Sequence, residues 1–139
     1  MEIYFAGSIR AGRQDADRYA EIVKMLQRWG TVLTEHVGDV ALDPIGERHL
    51  SEAEIYRRDI VWLNEADVVV AEVTVPSLGV GYEIAVAERA GKPVLCLYRP
   101  QPDKKLSAML TGSPHLIVKE YQAMAEAEEI VKEFLGVRA

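Results

Sequence analysis

The chain has 139 residues, 49% hydrophobic and 27% charged, an ordinary globular composition with room for one core. Its formal net charge of −6 offers no broad cationic surface to a nucleic-acid polymer, although local donors could still hold a small anion. A single cysteine rules out an internal disulfide framework, and the lack of a leader-like start or a long apolar run predicts a cytoplasmic protein with no membrane span, one domain over residues 1–139.

Residues 2–6 (EIYFA) read as a short apolar strand that runs into Gly7-Ser8-Ile9-Arg10-Ala11-Gly12. Ala16, Tyr19, Ile22, Val23, Leu26 and Trp29 recur at helical spacing, predicting a helix over residues 15–28 that Gly30 caps. Residues 31–34 (TVLT) read as a second strand, and residues 37–49 are expected to be irregular, with Gly38, Pro44 and Gly46 among them.

Ser51 followed three residues later by Glu54 is a capping-box signature and opens a helix running to about Glu65. Ile55, Tyr56, Ile60, Trp62, Leu63 and Ala66 then share one broad face. Asp59 falls in the middle of that face, while Arg57, Arg58 and Glu65 are expected to point elsewhere. An inward carboxylate must be paired or face a polar cavity, since unpaired burial costs several kcal/mol. A structural ion pair or a cap to a neighbouring loop is the plain alternative for Asp59.

Val68, Val69, Val70, Ala71 and Val73 form a β-branched run of the kind buried on both faces of a sheet. Pro76 and Gly79 break it, Gly81 opens a helix, Gly91 and Pro93 stop that helix, and residues 94–98 form another buried strand holding Cys96. Strand, helix, strand is one βαβ unit and implies a parallel sheet. Glu83 lies about one turn into this helix, which is otherwise nearly free of charge until Glu88 and Arg89. The preceding loop supplies Thr74, Ser77 and backbone N–H groups that favour an anion. Glu83 could equally do no more than complement the helix dipole. Residues 99–105 read as a polar loop, 106–110 as a helical turn, 116–119 as a last strand and 124–135 as an amphipathic closing helix.

This alternation predicts an α/β fold, a doubly wound (Rossmann/flavodoxin-like) parallel sheet of five strands in order 2-1-3-4-5 with helices on both faces. Ligands bind such sheets at the switch point, here between the ends of strands one and three. The loops leaving those strands, residues 7–12 and 74–81, are rich in Gly, Ser and Arg. Neither G-x-G-x-x-G nor GxxxxGK[ST] is present, so hydroxyls, N–H groups and one arginine suit a single phosphate or carboxylate. His36, His49 and His115 are scattered, no metal-ligand spacing exists, and neither metal nor cofactor is expected. What remains is the carboxylate pair Asp59 and Glu83, which suits displacement at an anomeric carbon.

YFAGSIRAGR at residues 4–13, TVLTEHV at 31–37, ADVVVAEVTVPSLGVGYEIA at 66–85, and LCLYRP followed by LSAM resemble the 2′-deoxynucleoside 5′-phosphate N-hydrolases, the Rcl family. That family is a branch of the nucleoside 2-deoxyribosyltransferase group, and the resemblance covers nearly the whole chain, weakening over residues 38–51 and in the last helix. It implies that Glu83 is the nucleophile at C1′ and that Asp59 holds the sugar and assists protonation of the departing base. It implies further that Tyr4 packs at the sugar and nucleophile, and that Ser8, Arg10, Ser77 and Gly79 hold the 5′-phosphate. Ile9 and His36 would lie near the base, and Ser107 would reach the phosphate of a neighbouring subunit in a homodimer. Three functions stay open at this point: hydrolysis of deoxynucleoside monophosphates, deoxyribosyl transfer to another base, and non-catalytic nucleotide binding.

Overall fold

The computed structural model describes residues 1–9, 15–39, 47 and 49–139. β1 (Glu2–Ala6), β2 (Thr31–Val32), β3 (Val68–Glu72), β4 (Val94–Tyr98) and β5 (Leu116–Glu120) form one sheet in the order β2-β1-β3-β4-β5. Every pairing is parallel, with Ile3 opposite Val68, Val70 opposite Leu95 and Leu95 opposite Ile117. This is the sheet that the alternation of elements predicts.

Strand side chains alternate in direction, so each strand divides its apolar residues between two cores. Ile3, Phe5, Val68, Val70, Leu95 and Leu97 pack under α1 (Ala16–Gln27) and α5 (Met124–Gly136). Tyr4, Ala6, Val69, Ala71, Val94 and Cys96 pack under α2 (Glu52–Glu65) and α3 (Leu78–Arg89). Residues 68–72 are buried throughout, because the central strand is covered on both sides. Truncating a side chain such as Leu95 to alanine here costs about 2–5 kcal/mol.

Local chemistry sets the boundaries, and it moves several of them. β2 is only two residues long: the Thr34 hydroxyl donates to the Phe5 carbonyl (2.6 Å) and accepts from the Phe5 N–H (2.8 Å). A side chain thus takes over where a ladder would continue, and a 3₁₀ turn, Glu35–Gly38, follows. α2 opens on the expected reciprocal box, with Ser51 N–H on Glu54 (2.7 Å) and Glu54 N–H on Ser51 Oγ (3.1 Å). Its last carbonyls, Asn64 and Ala66, receive the Lys92 ammonium at 3.0 and 2.6 Å. Tyr56 does not join the buried face of α2; it is 54% exposed and meets Tyr82 edge-on.

α3 begins at Leu78, three residues earlier than the glycines suggest, because Ser77 Oγ accepts the Val80 N–H (3.3 Å) and caps it. It ends at Arg89, and Gly91 beyond the cap, with a φ of 72°, lets the Lys92 N–H turn back to the Ala87 carbonyl at 3.0 Å. A short α4 (Ala108–Thr111) precedes β5. No helix among the described residues is long and apolar enough to cross a membrane.

Candidate active site

Tyr4 lies in the middle of β1 with its side chain on the α2–α3 face, and it is 1% exposed. Its hydroxyl is hydrogen-bonded to the Glu83 carboxyl, which α3 delivers from its second turn. Burial and the negative charges of Glu83 and Asp59 hold the phenol well above the usual tyrosine range, so it stays a donor. Burial, reinforced by the charge of Asp59, pushes Glu83 up to about 8, with the Tyr4 bond pulling the other way. Burial also raises Asp59, opposed by Arg58. Two carboxyls and a phenol from three elements thus meet beside the C-terminal half of β1.

Asp59 is paired, contrary to the expectation that Arg58 points away. Arg58 Nε and Nη2 donate to Asp59 Oδ1 at 2.9 and 2.8 Å. The same guanidinium grips Glu47 with two bonds (2.5 and 2.7 Å) and lies 4.6 Å above the Trp62 ring. Adjacent helical residues point about 100° apart, but a four-atom arginine stem folds back over that angle. His36 Nε2 stands 3.5 Å from Arg58 and 3.7 Å from Glu47, placing His36 within electrostatic reach of Asp59. Glu47, Arg58 and Trp62 had no expected part in the site: Trp62 read as an apolar-face residue and Arg58 as pointing elsewhere. Glu47 comes from a stretch without periodicity, and Arg58 carries no signal beyond standing next to Asp59.

At the switch point, Gly7 packs so closely between α1 and the 3₁₀ turn that a Cβ there would come within 3.1 Å of Val37 and 3.2 Å of the Tyr19 ring. Ser8 is fully buried, and its N–H donates to the Tyr19 hydroxyl (3.2 Å). Ile9 packs, partly buried, against the α1–α5 core. Arg10 lies outside the described residues. Ser77 caps α3, and Gly79 sits in its exposed first turn. Ser107 is exposed and accepts the Met109 N–H at 3.3 Å as the cap of α4.

Ser77 and Ser107 both line a groove of about 990 Å³ between α3 and residues 101–110, floored by Leu106 and Leu110. α3 turns Gly81, Ile84, Ala85 and Glu88 toward it, whereas Glu83, Asp59 and Tyr4 are not among its lining residues. Within one chain, then, Ser107 and the carboxyl pair lie on different sides of α3. Among the described residues no cluster of three or more His, Cys, Asp or Glu could hold a metal ion.

A doubly wound sheet with a buried tyrosine and two raised carboxyls near its switch point defines a class: α/β small-ligand domains equipped for proton or nucleophilic chemistry. Within that class, the nucleoside 2-deoxyribosyltransferase family profile matches residues 3–129, and the chain belongs to that family. It is 52% identical over 134 residues to the 5-hydroxymethyl-dUMP N-hydrolase of Mus musculus, covering 96% of this chain and 76% of that one. The 5-hydroxymethyl-dUMP N-hydrolase of Tetraodon nigroviridis is 48% identical over 141 residues, covering 98% of both chains. The solved CMP N-glycosidase of Clostridium botulinum superposes with a TM-score of 0.69 at 17% identity, covering 96% of this chain and 99% of that one, and shows the same fold.

Proposed function

We propose that the protein hydrolyses the N-glycosidic bond of 2′-deoxynucleoside 5′-monophosphates, releasing the base and 2-deoxyribose 5-phosphate. The observation that carries this reading is the meeting of Glu83, Tyr4 and Asp59 beside the switch point, in a chain half-identical to named N-hydrolases of such a nucleotide. In the first step a Glu83 oxygen bonds to C1′ as the C1′–N bond breaks. The bond pair leaves with the base, and Asp59 gives that base a proton. In the second step water attacks C1′, Asp59 takes back a proton, and the ester to Glu83 opens. Tyr4 holds the Glu83 carboxylate under C1′ in both steps. A sugar lacking the electron-withdrawing 2′-hydroxyl gains oxocarbenium character more readily, which favours the deoxy series. Ser8, Arg10, Ser77 and Gly79 hold the 5′-phosphate, whose remote binding energy positions C1′; Ile9 and His36 border the base.

The active form is a homodimer in this reading. Leu78 and Met109, 97% and 81% exposed, flank the groove that Ser77 and Ser107 share, an apolar surface that a second copy would cover. In this dimer Ser107, which lines the groove away from its own Glu83, makes its phosphate contact in the partner's site.

The test is incubation with a panel of deoxynucleoside monophosphates, 5-hydroxymethyl-dUMP included, with free base measured. Release by the native chain and none by Glu83→Gln is the expected result. The second reading, deoxyribosyl transfer, is favoured by the description of the matching family. Turnover that needs an added acceptor base, and runs equally well on deoxynucleosides without phosphate, would replace hydrolysis with transfer.

A further inference from the structure

Glu72, at the end of the central strand, is fully buried and has no part in the chemistry above. One of its oxygens accepts the Thr74 N–H (2.6 Å) and the other accepts the Tyr121 hydroxyl (2.6 Å). Arg99, the first residue after β4, lies 3.9 Å from the second oxygen. The Arg99 backbone N–H donates to Thr74 Oγ1 (2.9 Å), and its Nη2 donates to both oxygens of Asp15 at 3.1 Å each.

Asp15 is the other unusual member. It stands at the N-cap of α1, where an aspartate ordinarily accepts a backbone N–H, yet it makes no such bond. Its carboxylate, 4% exposed, is given instead to Arg99 and to Arg18 at 3.3 Å. A helix cap has been exchanged for an ion pair that spans 84 residues of sequence. The network therefore joins the exits of β3, β4 and β5 to the N-terminal end of α1. It holds Asp15 to residues 73–77, and α1 in turn holds Ser8, whose N–H donates to Tyr19.

We propose that Arg99 is a positioning residue that locks the N-terminal end of α1, and through it Ser8, to the β3–α3 loop and so fixes the spacing of the phosphate site. The proposal rests on the reading that a 5′-phosphate lies between Ser8 and that loop. Two bonds from one guanidinium to a buried carboxylate hold a fixed geometry that lysine, a point charge on a flexible stem, cannot reproduce. Phosphate contacts drawn from Ser8 and from the β3–α3 loop are lost when the two part by even an ångström.

The test compares Arg99→Gln, Arg99→Lys, Asp15→Asn and the Asp15→Asn/Arg99→Gln double variant as full chains. In the clamp model kcat/KM on a deoxynucleoside monophosphate falls by about tenfold to a hundredfold in Arg99→Gln and Asp15→Asn. Inhibition by inorganic phosphate weakens alongside it. The double variant is no worse than the single ones, since both break one link, and Arg99→Lys falls between. Amide hydrogen exchange of residues 7–9 and 73–77 accelerates together, while β4 and α5 keep their protection.

A lowered melting temperature with unchanged phosphate inhibition and unchanged loop exchange would overturn the proposal and leave the network a staple of the fold. Should Arg99→Gln fail to fold, Asp15→Asn decides, because it keeps the side-chain shape and the Arg99–Glu72 contact. Should the native chain release no base from any monophosphate, the functional reading falls, and the exchange measurement still judges the clamp.

Discussion

At neutral pH a carboxyl whose pKa lies near 8 keeps its proton, yet a nucleophile must give it up. In the proposed reaction Asp59 must hold a proton while Glu83 is ionised, so the working form of the pair carries one proton and titrates as a unit. A kcat/KM profile should therefore fall on the alkaline side near pH 8, as that last proton leaves. Replacing Asp59 with Asn removes the neighbouring charge and should move the Glu83 titration downward, measurable by carbon-13 NMR of the carboxyl. Tyr4→Phe acts in the opposite direction on Glu83 and should lower turnover by about ten- to a hundredfold, the scale of one charge-assisted hydrogen bond. Stability carries a matching sign. The native Glu83 binds its proton more tightly than the unfolded one, so its contribution is full below pH 4.5 and is lost as pH rises through 8. Glu83→Gln should match the wild type near pH 4 and exceed it by up to about 5 kcal/mol at pH 9, read from denaturant melts, while remaining inactive.

In the proposed reading, Ser77 is at once an element boundary and a ligand contact. Its Oγ caps α3, so Ser77→Ala should cost about 0.5–2 kcal/mol of stability and weaken monophosphate binding as well. Ser77→Asp keeps a capping oxygen but sets a negative charge against a phosphate. Near-native stability with a KM raised at least tenfold separates the two roles, whereas an unchanged KM would leave Ser77 a cap alone. The sheet itself was legible because unbroken β-branched runs mean strands buried on both faces, and Gly and Pro punctuate them. Glu83 and Asp59 were legible as charges in apolar surroundings. The start of α3 was misread because two glycines outweighed a serine cap. Arg58 on Asp59 and Arg99 on Asp15 left no trace for another reason: both pairs depend on where long side chains fold back in space, which no period of 2 or 3.6 records. Tyr4 shows the same limit, since in a strand it reads as one more core residue until α3 is placed beside it.

Across the whole molecule, the proposed homodimer would tie activity to assembly through the groove beside α3. Mixing two inactive chains, Glu83→Ala and Ser107→Trp, should restore activity once subunits exchange, because a mixed dimer then has one site free of both defects. Random pairing gives about a quarter of the wild-type sites. No recovery after demonstrated exchange would mean that each chain builds its site alone. Cys96 offers a different kind of access. It is the only cysteine, lies in β4 with no exposed surface, and its thiol is pushed up to about 12 by burial and by the charge of Glu88. A thiol reagent in solution therefore meets this sulfur only when the centre of the sheet opens, and the labelling rate becomes a clock for global unfolding with no probe engineered in. Any ligand that binds the closed form slows that clock by the factor 1 + [L]/Kd. Affinities for nucleotides, for phosphate and for catalytically dead variants can all be read from one native sulfur, without a single turnover.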